Sequence, residues 1–187
     1  MLEIVEKRKP RTDGVLDDFI DGQTMAKKSK LFSGITLPLE LYYDDFEITN
    51  PLAPKAGTHK IGVFYFRIKN LPSMFNSSMQ NIHLLVVGYT GDFKRYGYNV
   101  VLTEIGNEFK HLEKNGFQLK AADSTKNIFP FLGVFNGDNL GLHTIFGFFE
   151  SFNAHKVCIM CMADKAEFQI ELPAQQRSLE CSLKPSG

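Results

Sequence analysis

Three carboxylates sit where strands run out. In "LYYDDFEI" (41–48) Asp44 and Asp45 fall late in an aromatic-rich run, and in "NGDNLGLH" (136–143) Asp138 follows the apolar run "NIFPFLGVF" (127–135). Successive side chains of a strand point to opposite faces, so Asp44 and Asp45 look opposite ways, with Glu47 on the side of Asp45. Two carboxylates brought to one edge repel unless a cation joins them. Hard divalent ions such as Mg2+ take oxygen ligands of this kind. Two such ions about 3.5–4 Å apart can hold the attacking and leaving oxygens of a phosphoryl transfer. Asp138 also has a reading without chemistry: with Asn139 it suits the N-cap of a following helix.

A second constellation is "CIMC", in which Cys158 and Cys161 have the C-x-x-C spacing of half a zinc site. His155 lies close by and Cys181 in the tail, and zinc usually takes four ligands. A redox pair and two buried free thiols are the other readings. His59, His83, His111 and His143 share no spacing, so they read as structural or exposed, His143 alone falling near the acidic edge.

The elements that must position these residues follow from periodicity. "LPLELYYDDFEI" (37–48), "KIGVFYFRIKNL" (60–71) and "NIHLLVVGY" (81–89) read as three strands, with loops marked by Pro, Gly and Asn between them. "NVVLTEIGNEFKHLEKNG" (99–116) changes period: Val101, Ile105, Phe109 and Leu112 recur at helical spacing and Gly116 supplies a stop. "NIFPFLGVF" is a fourth strand, although Pro130 argues against full pairing at that point. "LGLHTIFGFFESF" (140–152) reads as an apolar helix. Three strands joined by short loops run antiparallel, and a strand returning after a helix runs parallel to a member of that sheet. The expected fold is therefore α/β with a mixed sheet.

Composition bounds the rest. The 187 residues suit one domain, and 17 Phe with no Trp suit an aromatic-rich core. Twenty-one basic and 21 acidic side chains cancel, which removes any global pull toward nucleic acid or an anionic membrane. Phosphate binding would rest on local patches such as "EKRKPR" (6–11) and "AKKSK" (26–30), which equally suit solvated charge. Residues 1–37 read as a polar, basic arm holding one short helix in "GVLDDFIDG", and residues 171–187 as a polar tail. Three cysteines make no disulfide framework. With no apolar leader and no long apolar run, the expectation is a chain that is neither secreted nor membrane-spanning.

Several of these stretches, in order, resemble one family. "DGVLDDFIDG" (13–22), "LYYDDFEITNPLAPKAGTHKIGVFYFRIKNLP", "RYGYNVVLTEIGNEFKHLEKNG" (95–116) and "GDNLGLHTIFGFFESFNAHKVCIMC" (137–161) are similar to the transposase domain of metazoan DNA-transposon proteins, relatives of CACTA-type and KDZ-type DDE transposases. The resemblance covers roughly residues 13–170. It implies an RNase H-like sheet over 38–170, with the first catalytic Asp on strand one and the second just after strand four. Asp44 and Asp138 match them, Asp45 being a rival for the first. It further implies Mg2+ or Mn2+ at these carboxylates, Zn2+ at Cys158 and Cys161, transposon-end DNA as partner, association of several copies, and a nuclear site of action, otherwise cytoplasmic. The family's third carboxylate is a Glu far downstream. Glu167, Glu171 and Glu180 sit in no such motif, so the expectation is an incomplete domain, weakly active or inactive in DNA cleavage and joining. The alternative is a DNA- or protein-binding module of the same fold without enzymatic activity.

Overall fold

In the computed structural model, which describes residues 18–48, 60–75, 78–121 and 124–147 together with 5, 11 and 13–15, the three early strands form as their alternation predicts. They are β1 (Ile35–Glu47), β2 (Lys60–Ile68) and β3 (His83–Tyr89). β1 pairs antiparallel with β2, and β2 antiparallel with β3. Two helices follow, α1 being the earlier Gln23–Ser29: the short α2 (Thr90–Tyr96) and the 18-residue α3 (Tyr98–Asn115). β4 (Phe117–Ala121) and β5 (Ser124–Gly137) complete a five-stranded mixed sheet in the order β3-β2-β1-β5-β4. β5 runs parallel to β1, and β4, the strand directly after α3, pairs antiparallel with β5 at the sheet's other side. This unit, Met1–Asp138, is distinct from a second, Asn139–Gly187, in which α4 (Asn139–Ile145) is described.

The helical spacing read at 101–112 is realised in α3, whose buried stripe is Tyr98, Ile105 and Phe109. The helix stops because Gly116 adopts φ +60° and donates its N–H to the Leu112 carbonyl, a conformation that glycine takes without steric penalty. A β-carbon at Gly116 would also lie 2.6 Å from the Ile128 carbonyl oxygen, so the helix-to-strand corner requires glycine twice over.

Under α2 and α3 the sheet presents an aromatic cluster. Tyr43 packs on Phe64 (ring centroids 4.8 Å) and edge-on to Tyr98 (5.6 Å), and Phe93 closes the group against Phe64 (5.9 Å) and Tyr98 (5.6 Å). The Tyr43 and Tyr98 hydroxyls meet at 3.0 Å, which satisfies both where they are buried. Phe93 reaches the sheet because two glycines face each other beneath it: Gly62 pairs with Gly88, and β-carbons there would stand 3.0 Å and 2.8 Å from its ring. Gly88→Ala therefore forces Phe93 out of its seat. We expect a loss of about 1–3 kcal/mol in urea unfolding, partly restored when Phe93→Leu is added.

Three elements are absent from the sequence expectation: β4, α2 and α1, the last lying beyond the short helix expected within GVLDDFIDG (14–22). β5 begins at Ser124, three residues earlier than expected. Pro130 fits inside it because β4 pairs only with Ser124–Ile128; two residues farther on, a missing N–H costs no bond to β4. The expected arm is also partly packed. Ile20, Met25 and Phe131 form one buried cluster, flanked by Phe19 and Phe32, and β1 begins at Ile35. Lys28 of the basic run is committed to Glu113 at 3.1 Å and lies over the Phe131 ring, while Lys27 and Lys30 are exposed.

Candidate functional site

The parallel ladder between β1 and β5 carries the acidic edge. Its last pairs are Tyr42 with Asn136 and Tyr43 with Gly137. The next residues are Asp44, still inside β1 and paired with Val63 of β2, and Asp138, which directly follows the last residue of β5. Both are exposed. Asp138 immediately precedes α4, where the capping reading also put it.

Asp45 belongs to the other face. It lies 3.5 Å from Lys60 and lines a cleft of about 330 Å3 with Lys60, Tyr89, Asp92 and Lys94. Its charge is one of several influences that raise the Tyr43 phenol, after burial and the Tyr98 hydroxyl. The β1–β5 ladder itself stops at Tyr43 and Gly137, before Asp44, Asp45 and Asp138.

The face that carries Asp44 holds a polar group that the sequence analysis missed. Glu40 is 2% exposed and sits two residues before Tyr42 on the same side of β1. The Arg67 guanidinium, across on β2, donates to one oxygen of its carboxylate, and the Asn136 amide, on β5, donates to the other. Burial alone would raise the Glu40 pKa. The Arg67 hydrogen bond, the charges of Lys69 and Arg67, and the Asn136 amide together overcome it and hold the carboxyl below its ordinary 4.5. Tyr42 and Tyr65 stack between this group and the acidic edge, at 4.9 Å. The polar side of β1 therefore reads Glu40, Tyr42, Asp44, with Asn136 and then Asp138 alongside.

That alignment depends on an irregularity. The β1–β5 register jumps between Leu39 (opposite Leu132) and Glu40 (opposite Val134), leaving Gly133 as the extra residue of a bulge.

No family model, curated protein or solved structure matches the chain.

Among the described residues, no group of three or more His, Cys, Asp and Glu side chains is placed to hold a metal ion. Asp44 and Asp138 offer hard oxygen donors, the chemistry that Mg2+ and Mn2+ prefer, but as two residues they would leave most of a coordination shell to water or a ligand. Cys158, Cys161, His59 and His155 lie outside the described residues, as do Glu167, Glu171 and Glu180. His83 is exposed with its ring on Phe66, His111 is exposed and bonded to Asn115, and His143 is buried. None of the described helices is long and apolar enough to cross a membrane.

Proposed function

We propose that this chain carries the front part of an RNase H-like domain of the DDE transposase type, with Asp44 and Asp138 as its acidic pair. One observation carries the reading: the parallel β1–β5 register ends at Tyr43 and Gly137, and each is followed by an exposed aspartate. The order of three antiparallel strands, helices and a strand returning parallel to the first supports it further. The intervening β4 is an addition to the order expected.

A Mg2+ or Mn2+ ion bound there would supply Lewis acidity toward a phosphodiester. The contribution of the chain itself is geometric. Asp44 is held within β1 by its pairing with Val63 of β2, Asp138 follows directly on β5, and the reading has the two carboxylates meet a phosphate together. The substrate of the reading is DNA at transposon ends, acted on in the nucleus, with Zn2+ at Cys158 and Cys161. Two carboxylates hold one ion better than two, and positioning supplies much of phosphoryl-transfer catalysis. Cleavage and joining by this chain are therefore expected to be weak.

The test is Mn2+ binding followed by electron paramagnetic resonance. Asp44→Asn and Asp138→Asn should each weaken binding roughly tenfold or more, while Asp45→Asn, on the opposite face, should leave it nearly unchanged. Affinity that ignores both Asp44→Asn and Asp138→Asn would remove the metal reading.

A binding module without catalysis is favoured by a different observation. Glu40, the other carboxylate on that face of β1, is buried and tied to Arg67 and Asn136. It lies four residues from Asp44, about 13 Å along a strand, too far to share its ion. Absence of cleavage with retained DNA binding would select this second reading.

A further inference from the structure

We infer that Asn136 is a self-modification site: the main-chain nitrogen of Gly137 attacks its side-chain amide, and the carboxylate left behind unlocks the cluster around Glu40.

Asparagine followed by glycine is the pair in which this attack meets least obstruction, because glycine has no β-carbon to hold its nitrogen away from the neighbouring Cγ. The chain holds two such pairs, Asn115–Gly116 and Asn136–Gly137. The chemistry consumes only water. The Gly137 nitrogen bonds to Asn136 Cγ and gives up its proton. The Cγ–Nδ2 bond breaks, and the amide nitrogen leaves with that proton as ammonia. A five-membered imide remains. Water opens it at Cγ, leaving aspartate in normal linkage in one case, or at the main-chain carbonyl, leaving isoaspartate and a main chain longer by one carbon.

The fold treats the two pairs differently. Gly116 lies in a closed corner: its N–H donates to the Leu112 carbonyl, and Ile128 and Phe129 leave no room for a β-carbon beside it. Asn115 is the last residue of α3, and its amide is bonded to His111. Attack there requires the helix end and the corner to open together. Asn136 and Gly137 instead form the last two rungs of the β1–β5 ladder. β4 pairs only as far as Ile128, so among the described residues β5 has β1 as its one strand partner from Phe129 onward. Asn136 is also exposed. Ends of this kind open at low free-energy cost, and opening releases the extended backbone to bring the Gly137 nitrogen to Cγ.

The consequence is particular to this fold. The Asn136 amide donates to the carboxylate of Glu40, a residue 2% exposed that also accepts from Arg67. While that bond holds, it keeps the amide turned toward β1 and away from its own main chain. Once the amide is a carboxylate the donor is gone, and two negative charges face each other beside one guanidinium. Glu40 thereby loses a charge-assisted hydrogen bond and gains a repulsion. The rung that held the amide in place is weakened by the product of its own opening.

The experiment is peptide mapping by mass spectrometry of the full chain aged in mildly alkaline buffer, folded and in urea, following the replacement of –NH2 by –OH. The readout is the rate of each pair in the folded chain divided by its rate in urea, which cancels differences of sequence. This ratio should be roughly tenfold higher at Asn136 than at Asn115. Asn136→Asp, the product made directly, should lower the urea midpoint by roughly 1 M. A ratio at Asn136 no higher than at Asn115, or an Asn136→Asp chain as stable as the wild type, would overturn the inference. Should Asn136→Asp fail to fold, limited proteolysis of partly aged wild type decides the same point. Modified chains should be cut first, and equal loss of modified and unmodified chains would overturn the unlocking.

Discussion

Arg67→Ala should destabilise the protein by about 3 kcal/mol, one of the two largest losses we expect from a single substitution. The guanidinium is the main partner of a carboxylate that is 2% exposed. Removing one member of a buried pair leaves the other charge uncompensated, at a cost of roughly 3–5 kcal/mol. The lower end applies because the Asn136 amide and the charge of Lys69 remain near Glu40. Glu40→Gln on the Arg67→Ala background should recover part of the loss, since a neutral amide is cheaper to bury than an unpaired carboxylate. Urea unfolding of the four members of this cycle measures the coupling directly. The pH dependence has a definite sign. The folded Glu40 carboxyl lies below its ordinary 4.5, so its contribution is complete above that value and is lost as pH falls through the lower folded value. Glu40→Gln should therefore flatten the acid limb of stability below about pH 4.5 and leave the slope near neutrality alone.

Phe64→Ala should cost about 4 kcal/mol. Phe64 is fully buried, and its ring touches both Tyr43 and Phe93. Truncation removes the transfer energy of the ring and leaves a cavity that rigid aromatic neighbours cannot collapse into. With a urea slope of about 2 kcal/mol/M, the midpoint should fall by roughly 2 M. Phe64→Leu keeps most of the volume and should lose less than half as much. Equal losses for Ala and Leu would show that the edge-to-face aromatic geometry, rather than volume, holds the cluster.

Much of the scaffold was legible because period and punctuation agree. Ile105, Phe109 and Leu112 could not share one face of a strand but do share one of a helix, and Gly116 ends that helix with its positive φ. The end of β5 just before Asp138 was legible in the same way, whereas β1 runs three residues past Asp44 to Glu47, held there by its pairing with β2. β4 was not: "FQLKA" is five residues long, and its pairing with Ser124–Ile128 supplies what its composition does not. α2 holds one buried aromatic, Phe93, whose place depends on Gly62 and Gly88 facing each other across β2 and β3, a relation that exists only once the register does. Glu40 and Arg67 left a trace, a carboxylate inside "PLELY" and a guanidinium inside "YFRIK". Each is a charge embedded in an apolar strand and so requires a partner, but only the antiparallel register of β1 and β2 joins them. Asn136 gave no such signal.

The bulge at Gly133 is an odd count inserted into an even pattern, and it sets the phase of everything after it. Were Gly133 taken into the ladder, each later residue of β5 would advance by one place. Asn136 would turn away from Glu40, and Asp138 would fall opposite Asp45, on the Lys60 side of the sheet. Which residues of β1 stand opposite Asn136 and Gly137 is thus decided upstream, by a glycine without a functional group. The acidic edge can be rewired by adding or removing one residue in the middle of β5, with every carboxylate left in place.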